Sequence, residues 1–129
     1  MSKRETPMIR RYWKQVGGTL VEEFPVVKGT RACGRRVVDA IILPNRKRQI
    51  SHWRDISLEG EEVILVQAKF HRLGMYLMGQ TFFSAQLIRK FRPASVVSVA
   101  LCTKDDSILR PLIEKYRGMK VVVLRKPKG

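Results

Sequence analysis

Two short stretches carry residues able to act together on a phosphate ester. In one, Gln67-Ala68-Lys69 closes the apolar run Val63-Ile64-Leu65-Val66; in the other, Asp39 interrupts Val37-Val38-Asp39-Ala40-Ile41-Ile42-Leu43. Alternate side chains of a strand share a face, so Gln67 and Lys69 project the same way, one step apart. An oxygen donor and an ammonium held side by side at the end of a buried strand are costly to keep there. Such an arrangement points to chemistry, and the chemistry that fits is metal-assisted hydrolysis of a phosphodiester. That reaction asks for a hard cation, oxygen ligands to hold it, and a positive group near the attacking water or the phosphate. Asp39 offers an anionic ligand, Gln67 its amide oxygen, Ala68 its backbone carbonyl and Lys69 the charge. Taken singly, each has a plainer role: a hydrogen-bonded structural acid, or a solvated lysine at a strand end. Only their convergence would make a site.

The elements that must bring them together can be read from spacing. Thr6-Pro7 reads as a helix start, and Ile9, Tyr12, Trp13 and Val16 then recur at helical spacing until Gly17-Gly18, which gives a first helix over 7–16. A strand over 19–27 follows, with Pro25 marking an edge or a bulge. A glycine-containing connection leads to a second strand over 35–43. If the hairpin turns around Thr30-Arg31-Ala32, residues whose numbers sum to 62 face each other, and Glu23 lies across from Asp39. Glu22 stays open as the alternative. Residues 45–61 read as a long basic, mobile loop with Arg46-Lys47-Arg48, Arg54 and His52-Trp53. A third strand spans 62–70.

From Gly74 to Phe91 the pattern is a long helix. Met75, Met78, Phe82, Ala85 and Ile88 make one apolar stripe, and Tyr76, Phe83 and Leu87 add a second, so the helix should be well buried. A strand over 94–101, a shorter helix within 103–116 and a strand over 119–124 complete the chain, with a basic tail over 125–129. The order α-β-β-β-α-β-α-β predicts an α/β fold around one mixed sheet flanked by helices, in a single domain.

Charge supplies the partner. The chain's 129 residues include 26 Lys and Arg against 11 Asp and Glu, a formal charge of +15. So large a positive field favours polyanions, nucleic acid first, with an anionic membrane surface or a ribosome-like structural role as alternatives. Cys33, Cys102, His52 and His71 match no zinc pattern and no disulfide framework, which reads as structural thiols in a reducing cytoplasm. No apolar run approaches a membrane span, and none reads as a signal peptide.

The combination of Asp39, then Gln67-Ala68-Lys69 ending a strand, then helix, strand, helix and strand, resembles the PD-(D/E)XK nuclease superfamily. Within it the likeness is greatest to the Mrr-like restriction endonuclease and Holliday-junction-resolvase branch, where a Gln-x-Lys version of the motif is common. The resemblance covers residues 7–124 in element order but only three or four positions in specific residues. It implies a restriction endonuclease-like α-β-β-β-α-β core and a Mg2+-dependent DNA endonuclease, with Mn2+ as substitute. Asp39, Gln67 and the Ala68 carbonyl would be metal ligands and Lys69 the catalytic lysine. Val38 stands where the motif name has Pro, and Gln67 replaces an acid, which weakens cation affinity. The first helix of such proteins often contributes a Glu. The helix read here contains none, so the third acid falls to Glu23. DNA contacts fall to Arg36, Arg46, Lys47, Arg48, His71, Arg72 and Gln80, with branched or double-stranded DNA as substrate and a homodimer left open. The competing expectation is a basic nucleic-acid-binding protein of the same fold that does not cut.

Overall fold

The computed structural model describes residues 3–125, so all of the expected basic tail except Arg125 lies outside the described residues. Helix α1 (Glu5–Val16) leads into strands β1 (Thr19–Val27), β2 (Arg36–Leu43) and a short β3 (Gln49–Ser51). Then come β4 (Glu62–Ala68), α2 (Met75–Leu87), β5 (Ser95–Cys102), α3 (Leu109–Glu114) and β6 (Met119–Val123). The chain is an α/β protein with one six-stranded mixed sheet in the order β3-β1-β2-β4-β5-β6. β1, β2 and β4 form an antiparallel meander, while β4, β5 and β6 run parallel, joined by crossovers through α2 and α3. The expected element order holds, with β3 as an addition.

The sheet is covered on both faces because its strands are apolar on both. Met8, Ile9, Tyr12 and Trp13 of α1 pack on Leu20, Ala40, Ile42, Val66, Val99 and Leu101. The opposite face packs Val21, Ile41, Leu65 and Val63 with Leu58 and Ile88, and Ala100 and Val121 with Leu77 and Ile113. The turn from α1 into β1 is close: a Cβ on Gly18, which sits at φ +77, would lie 2.3 Å from the Leu43 carbonyl oxygen. Only glycine fits there, and its own carbonyl accepts a 2.7 Å bond from Trp13 Nε1.

Three expectations need correction. Helix α1 begins two residues early, with Glu5, Thr6 and Pro7 all inside its first turn. Proline is tolerated there because the first-turn N–H groups have no helical acceptor anyway. The segment 45–61 is not irregular throughout. β3 pairs in parallel with Thr19–Val21, a short 3-10 turn spans Trp53–Asp55, and Trp53 packs against the core. Its cations are partly committed: Arg46 pairs with Glu61, and Arg48 stacks 5.4 Å over the Trp13 ring. Finally, α2 is not buried all round. It lays Leu77, Thr81, Ser84 and Ala85 on the sheet, whereas Met75, Tyr76 and Phe83 are 77%, 71% and 64% exposed. Polar groups settle the face: Ser84 meets Gln67, and Ser98 Oγ donates to the Thr81 carbonyl at 2.8 Å. Of the expected stripe, Ala85 and Ile88 are buried and Met78 packs on the core, but Met75 and the Tyr76–Phe83–Leu87 side are exposed.

Candidate functional site

From Thr19 opposite Leu43 through Glu22 opposite Ala40 and Phe24 opposite Val38 to Pro25 opposite Val37, the β1–β2 register is the one expected, so Glu23 and Asp39 occupy the same rung; between Pro25 and Val27 it shifts by one, setting Val27 opposite Arg36. That rung is irregular. Leu20 faces α1 and Val21 the other side, so alternation would send Phe24 toward α1. Phe24 and Val26 instead join Val21's face, and Val38 joins Ile41's face against the same rule. Both strands break step where Glu23 and Asp39 stand, and Glu23 absorbs the break at φ 53, a conformation rare for a residue with a side chain.

The break opens the sheet beside Asp39. β2 and β4 pair from Ile42–Ile64 through Ala40–Val66, and the next rung would be Asp39 with Gln67. There the ladder ends, and side chains bridge the fork. The Asp39 N–H donates to Gln67 Oε1 at 3.3 Å, and the Ala68 N–H donates to Asp39 Oδ2 at 2.9 Å. Gln67, 3% exposed, uses its other amide atom to donate from Nε2 to Ser84 Oγ at 2.8 Å. One glutamine therefore ties β4 to β2 and to α2.

The structure thus brings Asp39 and Gln67 together as expected. Lys69 follows directly after β4, its backbone fixed by a bond from its N–H to the Leu101 carbonyl at 2.9 Å and its Nζ 5.5 Å over the Tyr76 ring. Burial pushes the Asp39 carboxyl above its ordinary value; the Ala68 N–H pulls it down, the Glu5 carboxylate pushes it up and the Lys69 ammonium pulls it down. Lys69 and Glu5 are therefore both within electrostatic reach of Asp39. Glu5, which the sequence reading set just before the helix, lies inside its first turn.

Two concavities flank the fork. One of about 440 Å³ includes Glu22, Glu23, Asp39, His52 and Trp53; the other, of about 260 Å³, includes Arg36, Gln67, Tyr76 and Gln80. Arg36 and Gln80 thus lie beside Gln67, as a site contact would require. Glu23 lines the first cavity with Asp39, whereas Glu22 is held by Arg10, at 2.8 Å. His52 is engaged through Nδ1, which accepts the Arg54 N–H at 3.2 Å. His71 and Arg72 are exposed beyond the end of β4. Lys47 and Arg48 remain on the far edge beside β3, two strands from the fork.

The donor set decides what the fork can hold. Among the described residues no group of three or more His, Cys, Asp or Glu side chains forms a ready metal cage. Asp39, the Gln67 amide oxygen and Glu23, which shares a cavity with Asp39, are all hard oxygen donors, and Mg2+ is commonly held by one or two carboxylates with waters and substrate phosphate. The residues fit such an ion. A carboxylate buried at a cost to its ionised form would also gain from a cation.

That cost has a testable sign. The folded Asp39 carboxyl binds its proton more tightly than the unfolded one, so ionisation penalises the folded state as pH rises above the ordinary value of 3.8. Below it the penalty vanishes. In EDTA, Asp39→Asn should therefore have a higher urea midpoint than the wild type at pH 7, since asparagine still accepts the Ala68 N–H. The advantage should shrink toward zero as pH falls below about 4. An asparagine variant less stable than the wild type at pH 7 would contradict this.

No family model, no curated protein and no solved structure matches the chain. What the coordinates define is the class: an α/β protein with a forked mixed sheet and a carboxylate, a glutamine and a lysine gathered at the fork.

Proposed function

We propose that the chain is a Mg2+-dependent DNA endonuclease with a restriction endonuclease-like core, and that the fork between β2 and β4 is its active site. The observation that carries the reading is the reciprocal bonding of Asp39 and Gln67–Ala68 with Lys69 one residue on. Residues distant in sequence, and chosen for their chemistry, converge where the ladder opens. Asp39 and Gln67 would hold the ion, with Glu23, which lines the same cavity as Asp39, or Glu5, whose charge raises the Asp39 carboxyl, as the second carboxylate. When bound, Mg2+ would polarise a phosphoryl oxygen and acidify a water. Lys69 keeps a compact positive charge for the oxygens that gain charge as the ester is cleaved. Tyr76 limits where its ammonium can go.

The +15 charge supports a polyanionic substrate, and no helix among the described residues is long and apolar enough to cross a membrane. Free Cys33 and Cys102 accord with a reducing compartment, and we place the protein in the cytoplasm on that ground. One observation favours the second reading, a binding protein that does not cut: both amide atoms of Gln67 are already committed inside the protein.

Cleavage separates the two. Purified protein incubated with linear, nicked and branched DNA should cut at least one of them in Mg2+ or Mn2+, leaving 5′ phosphates, and none in EDTA. If every substrate stays whole with either metal, hydrolysis is excluded and the binding reading stands.

A further inference from the structure

Three parallel strands end side by side, and each is followed within two residues by a cation. Ala68, Leu101 and Val122 are in register across β4, β5 and β6, and Lys69, Lys104 and Arg125 follow the ends of those strands. Beyond the strands the backbones stay parallel: Thr103 N–H donates to the His71 carbonyl at 3.0 Å, Leu73 N–H to the Lys104 carbonyl at 2.9 Å and Leu124 N–H to the Cys102 carbonyl at 2.8 Å. Arg72 bridges to Lys104, and its Nη1 is fixed by the Asp105 carbonyl at 3.2 Å. Arg11 of α1 holds the Arg125 carbonyl at 3.1 Å.

Lys104 and Arg125 line a crevice of about 600 Å³ at this edge. Its acid is already neutralised: Asp105 pairs with Arg110 at 2.9 Å, and Arg110 also holds Glu114. Arg72, Lys104 and Arg125 are exposed and form no ion pair among the described residues. Strand spacing sets them about 4.8 Å apart per strand, a row that starts beside Lys69 and runs away from the fork toward β6.

We infer that this row, Arg72–Lys104–Arg125, binds successive backbone phosphates of one DNA strand and leads it to Lys69. The inference rests on the DNA-acting reading above and adds to it the direction in which the strand crosses the sheet. Neutral surfaces would leave such a row solvated; a polyanion releases counterions from it, so each phosphate contact steepens the salt dependence of binding.

The test is a salt titration of binding in EDTA, where nothing is cut, using a fluorescein-labelled 24-base-pair duplex and anisotropy. Lys104→Ala/Arg125→Ala should flatten the slope of log K against log salt by about 2. Arg117→Ala/Lys120→Ala removes the same charge at the opposite end of β6 and should leave the slope nearly unchanged. Equal slopes for wild type and the first variant would overturn the inference. So would an equal loss in the second variant, or a wild type that ignores the duplex or prefers an RNA of the same length. Cleavage plays no part in the readout, so a failed hydrolysis reading and a failed phosphate row give different results.

Discussion

Lys69→Ala is expected to lower the rate of DNA cleavage on the order of a hundred- to a thousandfold, with little change in DNA affinity. The asymmetry follows from where the charge sits. Lys69 is one of 26 cations, so the field that attracts DNA survives its loss. Lys69 has its backbone pinned just past the end of β4, and its charge lowers the Asp39 carboxyl. A group that stabilises charge developing in the transition state affects the chemical step far more than the encounter. Lys69→Arg should recover only part of the rate, because a planar guanidinium spreads over more space than a point charge beside Tyr76. Single-turnover rates with saturating protein would separate the effects. A Lys69→Ala protein within about tenfold of the wild type would remove Lys69 from the chemistry.

The second large effect is on stability. Gln67→Ala should cost about 2–4 kcal/mol, read from urea unfolding, because it strands two buried partners at once. The Asp39 N–H loses its acceptor at the one rung where β4 offers no backbone substitute, and Ser84 Oγ loses its donor. Gln67→Glu is the informative contrast. A carboxylate can accept from the Asp39 N–H and, with the Ser84 hydroxyl reversed, from that side too. In Mg2+ it should stay folded and cleave at a lower metal concentration than the wild type, while in EDTA the two carboxylates at the fork should make it less stable than the wild type. A Gln67→Ala protein within about 0.5 kcal/mol of the wild type would show that the fork closes without this bridge.

Much of this architecture was legible in the chain because alternation and breakers carry it. β1 has the bounds that its apolar pattern and Pro25 gave, and the hairpin register followed from one assumption about its turn. Asp39 and Gln67 were legible for the opposite reason, as polar residues in strands that otherwise read as buried. What escaped was set by tertiary packing. Glu5 joins α1 only because a proline can sit in the third helical position rather than the first. The broken step at Glu23 and Asp39 leaves no trace in composition, since Val37 and Val38 would suit either face. The exposed side of α2 was misread because Thr81 and Ser84, not its aromatics, face the sheet. The row of cations beyond β4, β5 and β6 becomes visible only when three distant strand ends are set in register.

The measurement nearest to the central claim is anomalous diffraction from crystals soaked in MnCl2. The account predicts one manganese peak about 2.1 Å from an Asp39 carboxylate oxygen, on the side of Gln67 facing Lys69, and no such peak in Asp39→Ala crystals. A peak that persists without Asp39, or manganese bound elsewhere while the fork stays bare, would contradict it.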